Sequence, residues 1–220
     1  NDLTNYFRIK KLNDQLHTEN TELRNTLAKI TAKSKDTLST IIFSTTEEPQ
    51  YEFIAAEVVN NSVNRQKNFF TVNAGTRKGV NVNMGVISPD GVAGIIISTG
   101  KNYSVAISLI NLDFRLSAKI KSNDYFGSLS WDGSNYRYAI LNDIPQHVFL
   151  NKGDTIITTG YSAIFPAGIM VGTISDFEKS GSEFYRIKVK LATDFKKLSN
   201  IYLIKNNRSQ EQLSIEKAFQ

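Results

Sequence analysis

Two periods of hydrophobicity divide the chain. Residues 1–35 contain neither Gly nor Pro, and Ile9, Leu16, Leu23 and Ile30 recur at intervals of seven. Tyr6, Asn13, Asn20 and Leu27 fall between them at the alternating three-and-four spacing of a heptad, which puts the first series at d and the second at a. The spacing predicts a coiled-coil helix over 1–35 whose dimer interface is Ile9, Asn13, Leu16, Asn20, Leu23, Leu27 and Ile30. An Asn at a pairs with its twin across a parallel dimer and penalises shifted registers, at some cost in stability. The competing reading is a single amphipathic helix packed on its own domain, which two Asn in the apolar stripe suit less well. A coil of about four heptads is marginal by itself. An anchor upstream would favour pairing by raising local concentration.

From Tyr51 onward the period is two. In "FYRIKVKL" (184–191) Phe184, Arg186, Lys188 and Lys190 share one face, and Tyr185, Ile187, Val189 and Leu191 the other, as in a half-buried strand. The basic row could meet phosphate or lipid headgroups, but it also reads as a solvated face that discourages edge pairing. "YEFIAAEVV", "NFFTV", "VAGIIIST", "YSVAISLI", "FRLSAKI", "FGSLSW" and "YRYAIL" are further short strands, separated by Gly, Asn, Asp and Ser. Strands this short and numerous predict a mainly β protein of sandwich or barrel type.

An internal echo favours tandem barrels. Lys78, Gly79, Gly85, Pro89, Gly91 and Gly94 are followed in the same order by Lys152, Gly153, Gly160, Pro166, Gly168 and Gly172. Chance similarity between Gly-rich hairpins is the alternative. The division expected is a helix over 1–35, a linker over 36–50, a first barrel over 51–122 and a second over 123–205. The final strands could complete the first barrel. The polar residues 206–220 are expected to be a flexible tail.

Gly85, Gly91 and Gly94 do not cradle a phosphate. A dinucleotide motif needs G-x-G-x-x-G opening a helix, whereas "VAGIIIST" after Gly91 is β-branched. In "GTRKGVN" (75–81), Val80 and Asn81 replace the Lys and hydroxyl of a P-loop. "SPDG" instead sets Pro89 where a tight turn wants its fixed φ, with Asp90 and Gly91 following. Gly85 and Gly94 are expected at bulges or close strand crossings.

Composition narrows the chemistry. The 220 residues are 40% hydrophobic and 10% aromatic, with a formal charge of +5 too scattered for a nucleic-acid stripe. No apolar run approaches the roughly 20 residues of a membrane helix. The chain begins at Asn1 rather than Met, so any N-terminal signal or anchor would lie outside this sequence. The lack of Cys excludes disulfides and thiolate sites, and His17 and His147 are the only histidines, so neither metal nor cofactor is expected. "NKGDT" (151–155) lacks the alternating carboxylates and terminal Glu of an EF-hand. Tandem barrels raise a chymotrypsin-like protease, with His147 as the sole candidate base and Asp132, Asp143 or Asp154 to orient it. Neither "GYSAIF" nor "LSWDGS" frames a nucleophile, and no catalytic residue is expected. A glycosidase carboxylate pair is not identifiable by spacing. A nucleic-acid module would use Tyr136, Arg137 and Tyr138 for stacking, although their alternation fits strand packing equally. A wall-polymer binder would use Trp131 and neighbouring Tyr in an exposed row.

With these residues in view, the chain resembles the MreC family of bacterial rod shape-determining proteins, in their extracytoplasmic part, over about residues 1–205. The family pattern of an Asn-containing strand, Gly, Gly-Val and Gly-Val-Val-Ser-x-x-Gly-Val-Val-Gly is met by Asn73, Gly75, Gly79-Val80, Gly85-Val86-Ile87-Ser88 and Gly91-Val92-Ala93-Gly94. A later Gly-Asp, Thr-Ser-Gly and Phe-Pro-x-Gly is met by Gly153-Asp154, Thr158-Thr159-Gly160 and Phe165-Pro166-Ala167-Gly168, with Thr159 where Ser is usual. The resemblance implies a cytoplasmic tail and one membrane helix upstream, then a coiled coil and two six-stranded barrels of chymotrypsin topology without a triad. It further implies a dimerising, non-enzymatic scaffold of cell-wall elongation at the periplasmic face of the inner membrane, capable of higher assembly. The implied partners are the elongation-specific penicillin-binding transpeptidase, a multi-spanning membrane companion and the actin-like cytoskeletal system, with no nucleic acid. The glycines, prolines, Asn73 and Asp154 of the motif are expected to serve fold integrity rather than contact.

Overall fold

The computed structural model describes residues 2–35, 49–181 and 183–217. Of the linker expected at 36–50, only 49 and 50 lie within them. Helix α1 runs from Asp2 to Lys35. The hydroxyls of Thr18, Thr21 and Thr26 and the Asn20 amide each bond to the carbonyl four residues earlier, so these polar groups are satisfied within the helix.

Twelve strands follow among the described residues: β1 (Tyr51–Asn61), β2 (Phe69–Val72), β3 (Gly85–Ile87), β4 (Val92–Thr99), β5 (Ser104–Ser108), β6 (Leu116–Ile120), β7 (Phe126–Ser130), β8 (Tyr138–Pro145), β9 (Thr155–Thr158), β10 (Met170–Ser180), β11 (Phe184–Leu191) and β12 (Asn200–Asn206). They close into two six-stranded antiparallel barrels, β1-β12-β3-β4-β5-β2 and β10-β11-β8-β7-β6-β9. Replacing β12, β1, β2, β3, β4 and β5 by β6 to β11 in that order turns the first ring into the second, so the barrels share one topology. In the first, the slot that β6 fills in the second is taken by β12 from the end of the chain. The second barrel is therefore a contiguous insertion in the first. Closure removes every open edge among these strands. The two interiors join in one apolar cluster that includes Phe70, Val86, Ile96, Leu129, Leu141, Phe165, Ile187 and Leu203.

This topology corrects the expected boundary. Strand β6 falls inside 51–122 yet belongs to the second barrel, whereas β12 completes the first, the option left open for the final strands. The crossing carries no compositional mark because Leu109, Ile110, Asn111 and Phe114 between β5 and β6 are themselves buried. Asn111 and Asn68 hold that crossing with buried side-chain bonds to the backbone, Asn111 Nδ2 to Asn68 O (2.9 Å) and Asn68 Nδ2 to Ile110 O (2.7 Å). The tail also departs from expectation, since Ser209–Lys217 forms helix α2. Its polarity suggested irregular chain, but Gln, Glu, Leu and Lys are good helix formers.

The echo holds in three dimensions with a shifted alignment. Gly94 pairs with Ser108 and precedes a register shift at Ile96, and Gly172 pairs with Leu191 and precedes one at Ile174. A Cβ on Gly94 would overlap the Ile107 carbonyl, and one on Gly172 the Lys190 carbonyl, so both are close crossings of the same kind. Ile96 exchanges backbone bonds with Asn83 and Met84, as Ile174 does with Gly153 and Asp154. The counterpart of Gly153 is thus Asn83, not Gly79. Both have positive φ, 93° and 68°, and Asn is the side chain that best tolerates that region.

Candidate functional site

Helix α1 meets the first barrel through its polar face. His17, Thr21, Arg24, Asn25 and Ala28 are half-buried, while the rest of 9–30 is exposed. Asn25 accepts from Phe53 N (2.8 Å) and donates to Phe53 O (3.3 Å), using its amide as a short piece of neighbouring strand against β1. His17 Nδ1 lies 3.1 Å from the buried Tyr202 hydroxyl on β12, and the Arg24 guanidinium sits 4.6 Å above the same ring. In the heptad frame these side chains are at b, e and f.

The a and d positions point elsewhere. Ile9, Leu16, Leu23, Leu27 and Ile30 are 47–66% exposed, and Leu12 at g is 54% exposed. Six large apolar side chains in line on one solvent-facing helix surface form the sort of patch that marks an interaction site. Asn20 bonds within its own helix, and Asn13 is exposed beside the same stripe. The helix thus packs on its own barrel, as the single-helix reading has it, but through polar residues, with Ile9, Leu16, Leu23 and Ile30 left exposed.

The motif residues gather largely at turns and at the joint between barrels. Asn73 clamps Glu57 of β1 by bonds to its N and Oε2. Gly75 backs onto Gly100, and Gly79 (φ 77°) ends the short 3-10 turn Thr76–Lys78. A Cβ on Gly85 would lie 2.6 Å from the Phe165 ring of the second barrel, and one on Gly91 would overlap the Met170 carbonyl. Pro89 and Asp90 form the turn between them, and Ser88 Oγ there meets Thr193 Oγ1 at 2.9 Å, both buried. Asp154 accepts from Asn151 N (3.1 Å), and the Pro166 carbonyl accepts from Thr158 Oγ1 (2.6 Å). Gly160 and Gly168 have positive φ of 81° and 92°. Glycine at 85 and 91 lets two barrels touch without a spacer.

The residues raised for other chemistries are occupied differently. His147 Nε2 meets Tyr125 Oη at 3.2 Å, and among the described residues no hydrogen bond joins it to a serine or aspartate. Trp131 is buried and donates to Asn135 O (3.0 Å), so it offers no platform to a polymer. Tyr136 carries Lys196 at 4.6 Å and Arg137 at 5.4 Å, and Tyr138 carries Lys188 at 4.5 Å, which covers ring faces that stacking would need. Within the basic row of β11, Arg186 is met by its own chain, near Glu178 (3.5 Å) and Asp132 (3.8 Å). For the Asp132 carboxyl, partial burial pulls upward, but hydrogen bonds from Ser134 and the charge of Arg186 outweigh it and hold the group below its usual range. Glu52 behaves alike, with burial opposed and exceeded by Lys205 (3.1 Å) and Asn207 (3.2 Å).

Several surface residues escaped sequence reasoning. Phe149 is 93% exposed, and Tyr125, Phe126 and Tyr161 are also exposed on the second barrel, with Phe126 and Tyr161 in edge-to-face contact at 5.2 Å. Their only sequence signal is aromatic side chains beside turn residues.

Comparison with known proteins follows the same lines. Residues 58–205 match the family described as rod shape-determining protein MreC, barrel core. The cell shape-determining protein MreC of Listeria monocytogenes is 28% identical over 181 residues, 80% of this chain and 61% of that protein. That of Haemophilus influenzae is 26% identical over 174 residues, 79% and 45% of the two chains. The chain thus spans 61% and 45% of the length of these two relatives. A solved MreC structure from Listeria monocytogenes superposes with a TM-score of 0.67 at 25% identity, covering 89% of this chain and 94% of that one. A chain in the complex between penicillin-binding protein PBP2 and MreC from Helicobacter pylori superposes at 0.57 and 18% identity, covering 71% and 99%, a likeness of fold.

Proposed function

We propose a function from one premise: the chain belongs to the MreC family of rod shape-determining proteins. It acts as a non-enzymatic scaffold of cell-wall elongation, pairing through its stalk and holding the barrels out to wall-synthesis proteins. The observation that carries this reading is the exposed stripe Ile9–Leu16–Leu23–Ile30 on a helix already docked by another face. A second copy covers such a stripe by knobs-into-holes packing, and Asn13 and Asn20 then pair across the seam. The scaffold sits on the periplasmic face of the inner membrane, held by a membrane helix upstream of Asn1. Its partners are a penicillin-binding transpeptidase, the multi-spanning companion and, across the membrane, the actin-like system; higher assembly builds on the dimer. The complex known for the Helicobacter pylori relative supports the transpeptidase. Tyr125, Phe126 and Phe149 are its best docking residues here, since exposed aromatics supply much of the energy of protein interfaces.

The absence of Cys makes the pairing directly testable. Under mild oxidation, Asn13→Cys and Asn20→Cys chains should each form disulfide-linked dimers, whereas Thr18→Cys, at f, should not. Equal linking at Thr18, or none at Asn13 and Asn20, contradicts a parallel in-register stalk. For the transpeptidase, Phe126→Ser with Phe149→Ser should weaken binding to an immobilised partner by about tenfold or more, as loss of aromatic anchors does.

A further inference from the structure

Where the stalk lies against the barrels, it walls one side of a groove of about 580 Å³. Ala28 comes from α1, Tyr51 and Phe53 from β1, and Pro166 and Ala167 from the loop between β9 and β10. Its volume falls within the range of ligand pockets, and Tyr51 and Phe53 give it an aromatic wall. Arg24 is the one charged residue lining it among the described residues, and no carboxylate faces it there. The Arg24 guanidinium is stacked on Tyr202, half-buried, and makes no ion pair among the described residues. Its planar fork is therefore oriented and still has donors to give. Gln50 bonds the Tyr51 hydroxyl at 3.4 Å, so the groove's neutral polar groups partly satisfy one another and leave the cation as the unmatched element.

We propose that this groove takes a segment of a partner protein that presents a large apolar side chain next to a carboxylate, the side chain between Tyr51, Phe53 and Pro166 and the carboxylate on Arg24. A cationic segment is disfavoured by Arg24, and a wholly apolar one leaves its guanidinium covered without a partner. Because the walls belong to the stalk and to both barrels, occupancy ties the three together and fixes the angle of the stalk. The site goes beyond the scaffold reading and does not depend on pairing.

The test titrates two acetylated, amidated pentapeptides, Ala-Leu-Glu-Phe-Ala and its Gln counterpart, into the isotope-labelled full chain. The Leu16→Asp/Leu23→Asp variant is titrated alongside, so that stalk pairing does not enter. The Glu peptide should shift the amide resonances of Ala28, Phe53 and Ala167 and bind at least tenfold more tightly than the Gln peptide. Arg24→Gln should erase that difference. Ala167→Trp fills the groove from an exposed position and leaves Arg24 in place, and it should weaken the Glu peptide at least tenfold. Equal affinity of the two peptides for the native chain overturns the proposal, as do shifts confined to other residues or undiminished binding to Ala167→Trp.

Discussion

Gly94 and Gly172 show how single residues set the shape of each barrel. Each lies against a carbonyl of the neighbouring strand, Ile107 or Lys190, where a methyl group has no room. Gly94→Ala and Gly172→Ala should each destabilise the chain by about 1–3 kcal/mol, the usual cost of overpacking, measured by denaturant unfolding. Gly153 offers the contrast. Nothing stands within 4 Å of its virtual Cβ, and only its φ of 93° resists substitution. Gly153→Asn should therefore be milder than Gly94→Ala, since Asn83 already occupies the matching position. At Glu52 the sign of the pH effect follows from a carboxyl held below its unfolded value. Its contribution is present above the ordinary glutamate range, about pH 4.3, and is lost as pH falls through the folded value. The pair is partly exposed, so Glu52→Gln should cost no more than about 1 kcal/mol at neutral pH and should reduce the acid sensitivity of unfolding. Most of the motif glycines were legible from the sequence as turn and crossing residues. That Gly85 and Gly91 serve contact between barrels was not, because the partners Phe165 and Met170 are some 80 residues away.

Among elements, β12 carries more than its seven residues suggest. It closes the first barrel between β1 and β3, and the second barrel completes itself without it. Truncation before Asn200 should abolish protection of β1 to β5 in hydrogen exchange while β6 to β11 remain protected; uniform loss would show the two barrels to be one cooperative unit. The stalk depends on Asn25 in a similar way. Asn25→Ala removes both side-chain bonds to Phe53 and leaves its backbone groups to water, a loss of about 1 kcal/mol of docking per hydrogen bond, visible as faster exchange at Phe53. The strands and the helix were legible because their periods differ, two against seven. The barrel boundary was not, since the chain passes from one barrel to the other through buried residues with no linker. The docking face of α1 was equally hidden: Asn25, His17 and Arg24 are polar, and an apolar-stripe argument sees only the opposite face.

At the scale of the whole molecule, two closed barrels share one apolar cluster and touch at Gly85 and Gly91, and the stalk attaches to the first of them by one face while exposing another. That separation leaves the stripe exposed while the other face of α1 is docked, the arrangement the proposed pairing needs. The central claim is that the exposed stripe on α1 is covered by a second copy. Sedimentation equilibrium over a range of concentrations tests it directly. The native chain should pass from monomer to dimer, and Leu16→Asp/Leu23→Asp should stay monomeric with an unchanged circular dichroism signal from the strands. Identical mass distributions for the two proteins would contradict the account.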